Sequence, residues 1–399
     1  MTEKYNFDAI INRIGTDSLK WNSLQGKFGS NDLLPFWVAD MDFSSPRPVI
    51  DALKARVEHG IFGYVFRDDA FSDAVISWFA TQHKWLLLKE WISFSPGVVT
   101  GLTIMIRAFT NIGDKIVIQP PVYYPFSRII RQNNRVVEEN PLCQKHDGKY
   151  EIDFADLERK LKEPSVKAMI LCSPHNPVSR VWRKEELLSI GNLCKKYGVI
   201  IFSDEIHCDF VFGSRRHIPL ASLSDEIANN TVTLVSPSKT FNLAGLKTAV
   251  IISKNKNLLD RYNEMLDIHH VAGPNCFGLV ATEAAYTHGE EYRKQLLEYL
   301  QTNIAFLSDY ISRRIPILKV TEPEGTYLMW IDCRALALSN DELDDLFFKK
   351  AKIAVDAGHW FGSSGSGFMR INIACPRSIL EKGLCSLHDA VASLGGRSE

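Results

Sequence analysis

The sequence predicts an α/β fold, a mostly parallel sheet between helices followed by a smaller α+β domain. Two observations carry this. Short apolar runs alternate with amphipathic stretches through the middle of the chain, the pattern of strands whose crossover helices cover both faces. After about residue 288 the texture changes to a long charged helix, short strands and further helix. A chain of 399 residues has room for such a division and for a large buried core. The expected boundaries are 1–47 for an N-terminal arm with part of the small domain, 48–288 for the large domain and 289–399 for the small C-terminal domain.

Residues 1–40 or so have no strong period and carry Trp21, Phe28, Phe36 and Trp37, which predicts an arm that packs onto another surface. A helix is expected over 48–59, stopped by Gly60. Strands are expected over 92–95, 115–119, 167–173, 199–204, 231–236 and 247–253, with helices over 97–109 and 184–197, the second stopped by Gly198. A glycine directly after a periodic segment is the signature of a left-handed helix stop. The later segment predicts a helix over 290–313, strands over 318–323, 326–332 and 368–373, and a helix over 340–352. Residues 362–367, GSSGSG, read as a flexible or tightly turned loop before a strand.

Composition narrows the partners. With 46 basic and 47 acidic side chains the chain carries a formal charge of −1, so there is no global attraction to nucleic acid or anionic membrane. The apolar runs are strand-sized, which predicts no membrane span. Residues 1–20 mix charged with apolar side chains and lack the uninterrupted apolar stretch of a secretory signal, so a cytoplasmic protein is expected. The eight cysteines include no CxxC pair, which suggests reduced thiols and no metal site.

The residues that carry chemistry lie at predicted strand ends. Lys239 follows the strand over 231–236, Asp204 ends the strand over 199–204, and Asn176 follows the strand over 167–173. Open α/β sheets place their ligands at such ends. An amine, a carboxylate and an amide converging there are the parts needed to hold pyridoxal phosphate. Lys239 would supply the covalent link, Asp204 would pair with the ring nitrogen, and Asn176 would donate to the phenolic oxygen. The turn at Gly97, Val98 and Val99 opens a predicted helix, where free backbone N–H groups favour a phosphate. Ser236 and Ser238 could add hydroxyl donors and Lys247 a positive charge.

Together these motifs resemble the fold-type I pyridoxal-phosphate enzymes of the aspartate aminotransferase superfamily, over nearly the whole chain. FWVADMDF at 36–43, HGIFGY at 59–64 and SDEIH at 203–207 resemble its MalY/PatB branch of cystathionine β-lyases and cysteine C–S lyases. The resemblance implies a sheet of the seven-stranded type and further roles. Tyr123 would stack on the cofactor ring and Ile206 would pack on its other face. His207 stands where many relatives carry a tyrosine that contacts the phenolic oxygen. Tyr64 would reach across a homodimer interface to the partner's phosphate. Arg370 would grip the substrate α-carboxylate, with Tyr124, Ala39 and Asn176 as further substrate contacts.

The reaction implied is α,β-elimination from cystathionine, cysteine or an S-substituted cysteine, giving pyruvate, ammonia and a thiol. The core residues serve transamination equally well. An aminotransferase for aromatic or apolar amino acids is therefore the alternative enzyme. A regulatory protein-binding role is the alternative of another class, because one MalY-type lineage is associated with transcriptional control.

Overall fold

The computed structural model describes residues 4–395. A seven-stranded sheet runs through its centre, built from β1 (Ile92–Ser95), β2 (Lys115–Ile118), β3 (Val136–Glu139), β4 (Val166–Cys172), β5 (Ile200–Asp204), β6 (Thr231–Val235) and β7 (Ala249–Ile252). Their order is β1-β7-β6-β5-β4-β2-β3. β7 is antiparallel to both its neighbours, and the remaining pairs are parallel. The six strands expected from the sequence are all present. β3 was not expected: it is an edge strand, Val-Val-Glu-Glu, half exposed, and so lacks the continuous apolar run of a strand covered on both faces.

Side-chain alternation explains the layers. Along β4, Ala168, Ile170 and Cys172 join one apolar cluster with Leu102, Ile106 and Tyr262, which belong to helices α3 (Val98–Phe109) and α5 (Lys256–Ile268). The intervening Met169 and Leu171 join the other cluster with Leu187 and Ile190 of α4 (Lys184–Lys196). A period of two therefore feeds both faces of the sheet. Helices α1 (Arg47–Glu58), α2 (Asp69–Gln82) and α6 (Cys276–His288) also belong to this part of the chain. The glycine stops behave as expected, with φ of +76° at Gly60 and +66° at Gly198.

The C-terminal part begins with α7 (Glu290–Arg314). It carries a four-stranded antiparallel sheet of β8 (Lys319–Val320), β9 (Leu328–Asp332), β10 (Asp356–Ala357) and β11 (Phe368–Asn372), ordered β8-β9-β11-β10. The last helix is α8 (Arg377–Gly395). The strand expected over 318–323 shrinks to two residues, and the helix over 340–352 is α-helical only across Asn340–Asp344 before widening into a π-helix, Asp345–Lys350.

Residues 4–43 pack as an arm on this C-terminal part. Leu34–Pro35 pairs in parallel with Ile353–Ala354. Phe7 meets Phe43 and Tyr292 edge-on at 5.1 and 5.5 Å. The arm ends in the 38–43 loop, which Asn242 fastens to the large sheet: its Nδ2 donates to the carbonyls of Met41 (2.8 Å) and Phe43 (2.9 Å), and Met41 N–H donates to its Oδ1 (3.0 Å).

Candidate active site

Because β4, β5 and β6 are parallel neighbours, the residues after them emerge along one edge of the sheet. β4 delivers Asn176, β5 ends in Asp204, and β6 leads into the short helix Pro237–Thr240 that carries Lys239. A cavity of about 180 Å³ lies there, lined by Lys239, Asp204, Asn176, Tyr123, Ile206 and Gly97 among others.

Lys239 Nζ donates to the carbonyl of Ala39 at 2.5 Å. Burial, with help from Arg370 and Lys247, lowers its pKa to about 8 against the opposing pull of Asp40 and Asp204. Asp204 is 4% exposed; it accepts a hydrogen bond from Ile206 N–H at 3.2 Å and forms no ion pair among the described residues. Burial pushes its pKa up to about 7. A carboxylate held without a counter-ion is costly unless a cationic group arrives. A protonated ring nitrogen is such a group.

Gly97 sits at φ +105°, a conformation that favours glycine, and caps α3. The first N–H groups of that helix, from Val98 and Val99, have no intrahelical acceptor and stand beside the cavity. Ser238 lines the cavity with its hydroxyl uncommitted among the described contacts. Ser236 departs from expectation: its hydroxyl donates to the Thr248 carbonyl at 2.7 Å and caps Ser238 N–H at 3.1 Å, so it braces the turn and has no proton to give a phosphate. Lys247 precedes β7 instead of belonging to it; it is exposed, has φ +49°, and lines the same cavity. The residues therefore fit pyridoxal phosphate, with an amine for its aldehyde, a bare carboxylate for its ring and free N–H groups for its phosphate.

His207 is 3% exposed, and its Nδ1 has no partner. Burial lowers its pKa well below the ordinary value, so the ring is neutral. Arg370 does not line the cavity. It stands behind Asn176, donating from Nη1 to Asn176 Oδ1 at 3.0 Å. Tyr124 is likewise set back, edge-on to Phe361 at 5.5 Å. Tyr64 is fully exposed and does not line this cavity in its own chain.

The sequence reading missed Tyr327, whose hydroxyl donates to the Ala39 carbonyl at 3.0 Å, and Asn242, which fixes the loop carrying Ala39. It also missed Asp356, which pairs with Arg370. The available signal was a lone acid in the otherwise apolar run 353–357.

Comparison with known proteins agrees with this geometry. The family model for aminotransferase class I and II matches residues 31–387. The chain is 43% identical to cystathionine beta-lyase PatB of Bacillus subtilis, over 97% of this chain and all of that protein. It is 35% identical to protein MalY of Escherichia coli, over 98% of this chain and all of the relative. Its fold superposes on cystalysin from Treponema denticola, a structure containing pyridoxal 5'-phosphate, with a TM-score of 0.95 and 34% identity over 98% of this chain and all of that one. The chain belongs to the aminotransferase class I and II family and has the fold of the fold-type I pyridoxal-phosphate transferases.

Proposed function

We propose that the protein is a pyridoxal-phosphate-dependent carbon–sulfur β-lyase, which converts cystathionine, cysteine or S-substituted cysteines to pyruvate, ammonia and a thiol. The observation that carries this is the Lys239 amine and the bare Asp204 carboxylate lining one cavity, in a chain 43% identical to a cystathionine β-lyase along its length. When bound, pyridoxal phosphate supplies a sink for the electron pair left at Cα.

The chain's own residues do the rest. With a pKa near 8, Lys239 is partly neutral at physiological pH and serves as the base that takes the Cα proton. Asp204 would pair with the ring nitrogen and keep it protonated. Tyr123 and Ile206 would cover the ring faces, Asn176 would donate to the phenolic oxygen, and neutral His207 lines the same wall of the cavity. Gly97, Val98, Val99 and Ser238 would hold the phosphate, and Lys247 would add positive charge at its side. Arg370 takes the α-carboxylate as a planar fork, Tyr124 bounds the side-chain space, and the Ala39 carbonyl keeps the lysine amine beside the substrate. A thiolate leaves from Cβ with little acid assistance.

We also propose a cytoplasmic homodimer in which Tyr64 completes the partner's phosphate site, with the arm, large and small domains divided at 47 and 288. No helix among the described residues is long and apolar enough to cross a membrane. Product analysis tests the reading. With cystathionine or cysteine as sole substrate, pyruvate, ammonia and a thiol are expected; keto-acid-dependent amino transfer without thiol release would make the protein an aminotransferase instead.

A further inference from the structure

We propose that Asp356 is a resident occupant of the Arg370 guanidinium which the substrate α-carboxylate has to displace, and that Lys27 receives Asp356 when it is displaced. The inference rests on the assignment of Arg370 to the α-carboxylate made above.

The register of the small sheet creates the pair. Asp356 of β10 lies directly across from Arg370 of β11 in an antiparallel ladder, where opposite charges on facing residues attract. Both side chains are 2% exposed. Arg370 Nη2 donates to Asp356 Oδ2 and, at 2.6 Å, to the carbonyl of Trp37, while Nη1 donates to Asn176 Oδ1 at 3.0 Å. Arg370 Nε is buried without a partner.

A carboxylate held bidentately needs two adjacent N–H groups, and each fork of a guanidinium includes Nη2. Both hydrogens of Nη2 are already committed. One partner has to yield before an incoming carboxylate can be gripped. Trp37 presents a backbone carbonyl, and its segment is tied down on both sides: Phe36 N–H donates to the Ala354 carbonyl at 2.7 Å, and Asn372 N–H to the Phe36 carbonyl at 2.9 Å. Asp356 presents a side chain that a rotation can move.

The place it moves to is already built. Lys27 Nζ stands 3.4 Å from Asp356 Oδ1 and lies over the rings of Trp37 and Trp360, 4.1 and 4.2 Å from their centroids. Cation–π contacts on two indoles hold that ammonium in place. When a substrate carboxylate takes over Arg370, Asp356 keeps Lys27 and no buried charge is left unpaired. A tethered carboxylate competes at a high effective concentration. Only a ligand that brings its own carboxylate releases Arg370, so the pair screens for amino acids over simple amines.

Calorimetric titration of the holoenzyme with 3-(methylsulfanyl)propanoate, which keeps carboxylate and sulfur but has no reactive amine, tests this. The neutral amide of the same acid serves as control. Asp356→Asn is expected to bind the acid about tenfold tighter than the wild type, Lys27→Met several-fold weaker, and the amide equally in all. Unchanged or weaker acid binding by Asp356→Asn would overturn displacement and make Asp356 a permanent positioning partner. If that variant does not fold, unchanged or tighter binding by Lys27→Met overturns the proposal. Arg370→Ala separates the two readings: undiminished acid binding there would remove the assignment of Arg370 itself.

Discussion

At the residue scale the site is defined by two groups held away from their ordinary ionisation. Burial raises Asp204 from 3.8 to about 7 and lowers Lys239 from 10.5 to about 8. In the cofactor-free protein these are costs to folding. The unfolded chain releases the Asp204 proton near its ordinary value while the folded chain holds it to about pH 7, so this group's favourable contribution is complete below about pH 4 and is lost as the pH rises toward 7. Asp204→Asn removes that loss. The cofactor-free variant should gain stability relative to the cofactor-free wild type between about pH 4 and pH 8, by on the order of a few kcal/mol, while its turnover with cofactor falls by orders of magnitude. Denaturant melts of both proteins at the two pH values measure the first, and a pyruvate assay measures the second. A gap that is flat with pH would mean Asp204 is ionised freely in the empty site. Lys239→Ala should purify without a covalently attached cofactor, and borohydride labelling followed by peptide mapping should find the wild-type adduct on Lys239; label on another lysine contradicts the assignment.

At the scale of elements, the arm is fastened by charge. Lys20 is fully buried with its Nζ 2.7 Å from Asp42 Oδ2, and Arg13 bridges Asp40 and Asp42, each at 2.7 Å. Burial opposes the ionisation of Asp42, and Lys20, Trp21 and Arg13 outweigh it, leaving its pKa below the ordinary value. Without Lys20, Asp42 keeps Arg13 and Trp21, so the loss falls short of the about 3–5 kcal/mol of a buried charge left with no partner. Lys20→Met should lower the melting temperature accordingly and loosen the 38–43 loop, and with it the hold of Ala39 on the Lys239 amine. Limited proteolysis within the arm, together with thermal melting, checks this; an unaltered melt would show that the arm contributes little. The elements legible in the sequence were those with one clear pattern. The inner strands are apolar throughout because helices cover both faces, and the site residues follow from parallel strands delivering Asn176, Asp204 and Lys239 to one edge. Helix α2 carries a legible pattern that the sequence expectations left out: Phe71, Ala74, Val75, Trp78 and Phe79 fall at i, i+3, i+4, i+7 and i+8, one apolar face. The Asp356 and Lys27 partnership with Arg370 was not legible. It depends on the register of a two-residue strand and on the fold of an arm with no period.

At the scale of the whole molecule, one segment is out of keeping with a solitary chain. Ile61, Phe62, Tyr64 and Phe66 are 67%, 55%, 111% and 81% exposed, in the stretch between α1 and α2. Exposed apolar clusters of this kind mark association surfaces, and Tyr64 presents its phenol fully to solvent. In the homodimer proposed above, a second copy would supply both an apolar cover and a use for the hydroxyl, as a donor toward the partner chain's phosphate site. In such a dimer each site draws Lys239 from one subunit and Tyr64 from the other. Tyr64→Ala should therefore retain cofactor less well and lose most activity, and Lys239→Ala should be inactive. Mixing the two under conditions of subunit exchange creates heterodimers in which one site lacks both groups and the other is intact. Activity should return to about one quarter of the wild-type level when exchange is random, because half of the dimers are then mixed and each carries one working site. Exchange is verified by mass-tagging one variant, and activity is read as pyruvate formed. Verified exchange without recovery would place Tyr64 outside the partner's site, whereas a single-chain species with full activity would remove the shared site altogether.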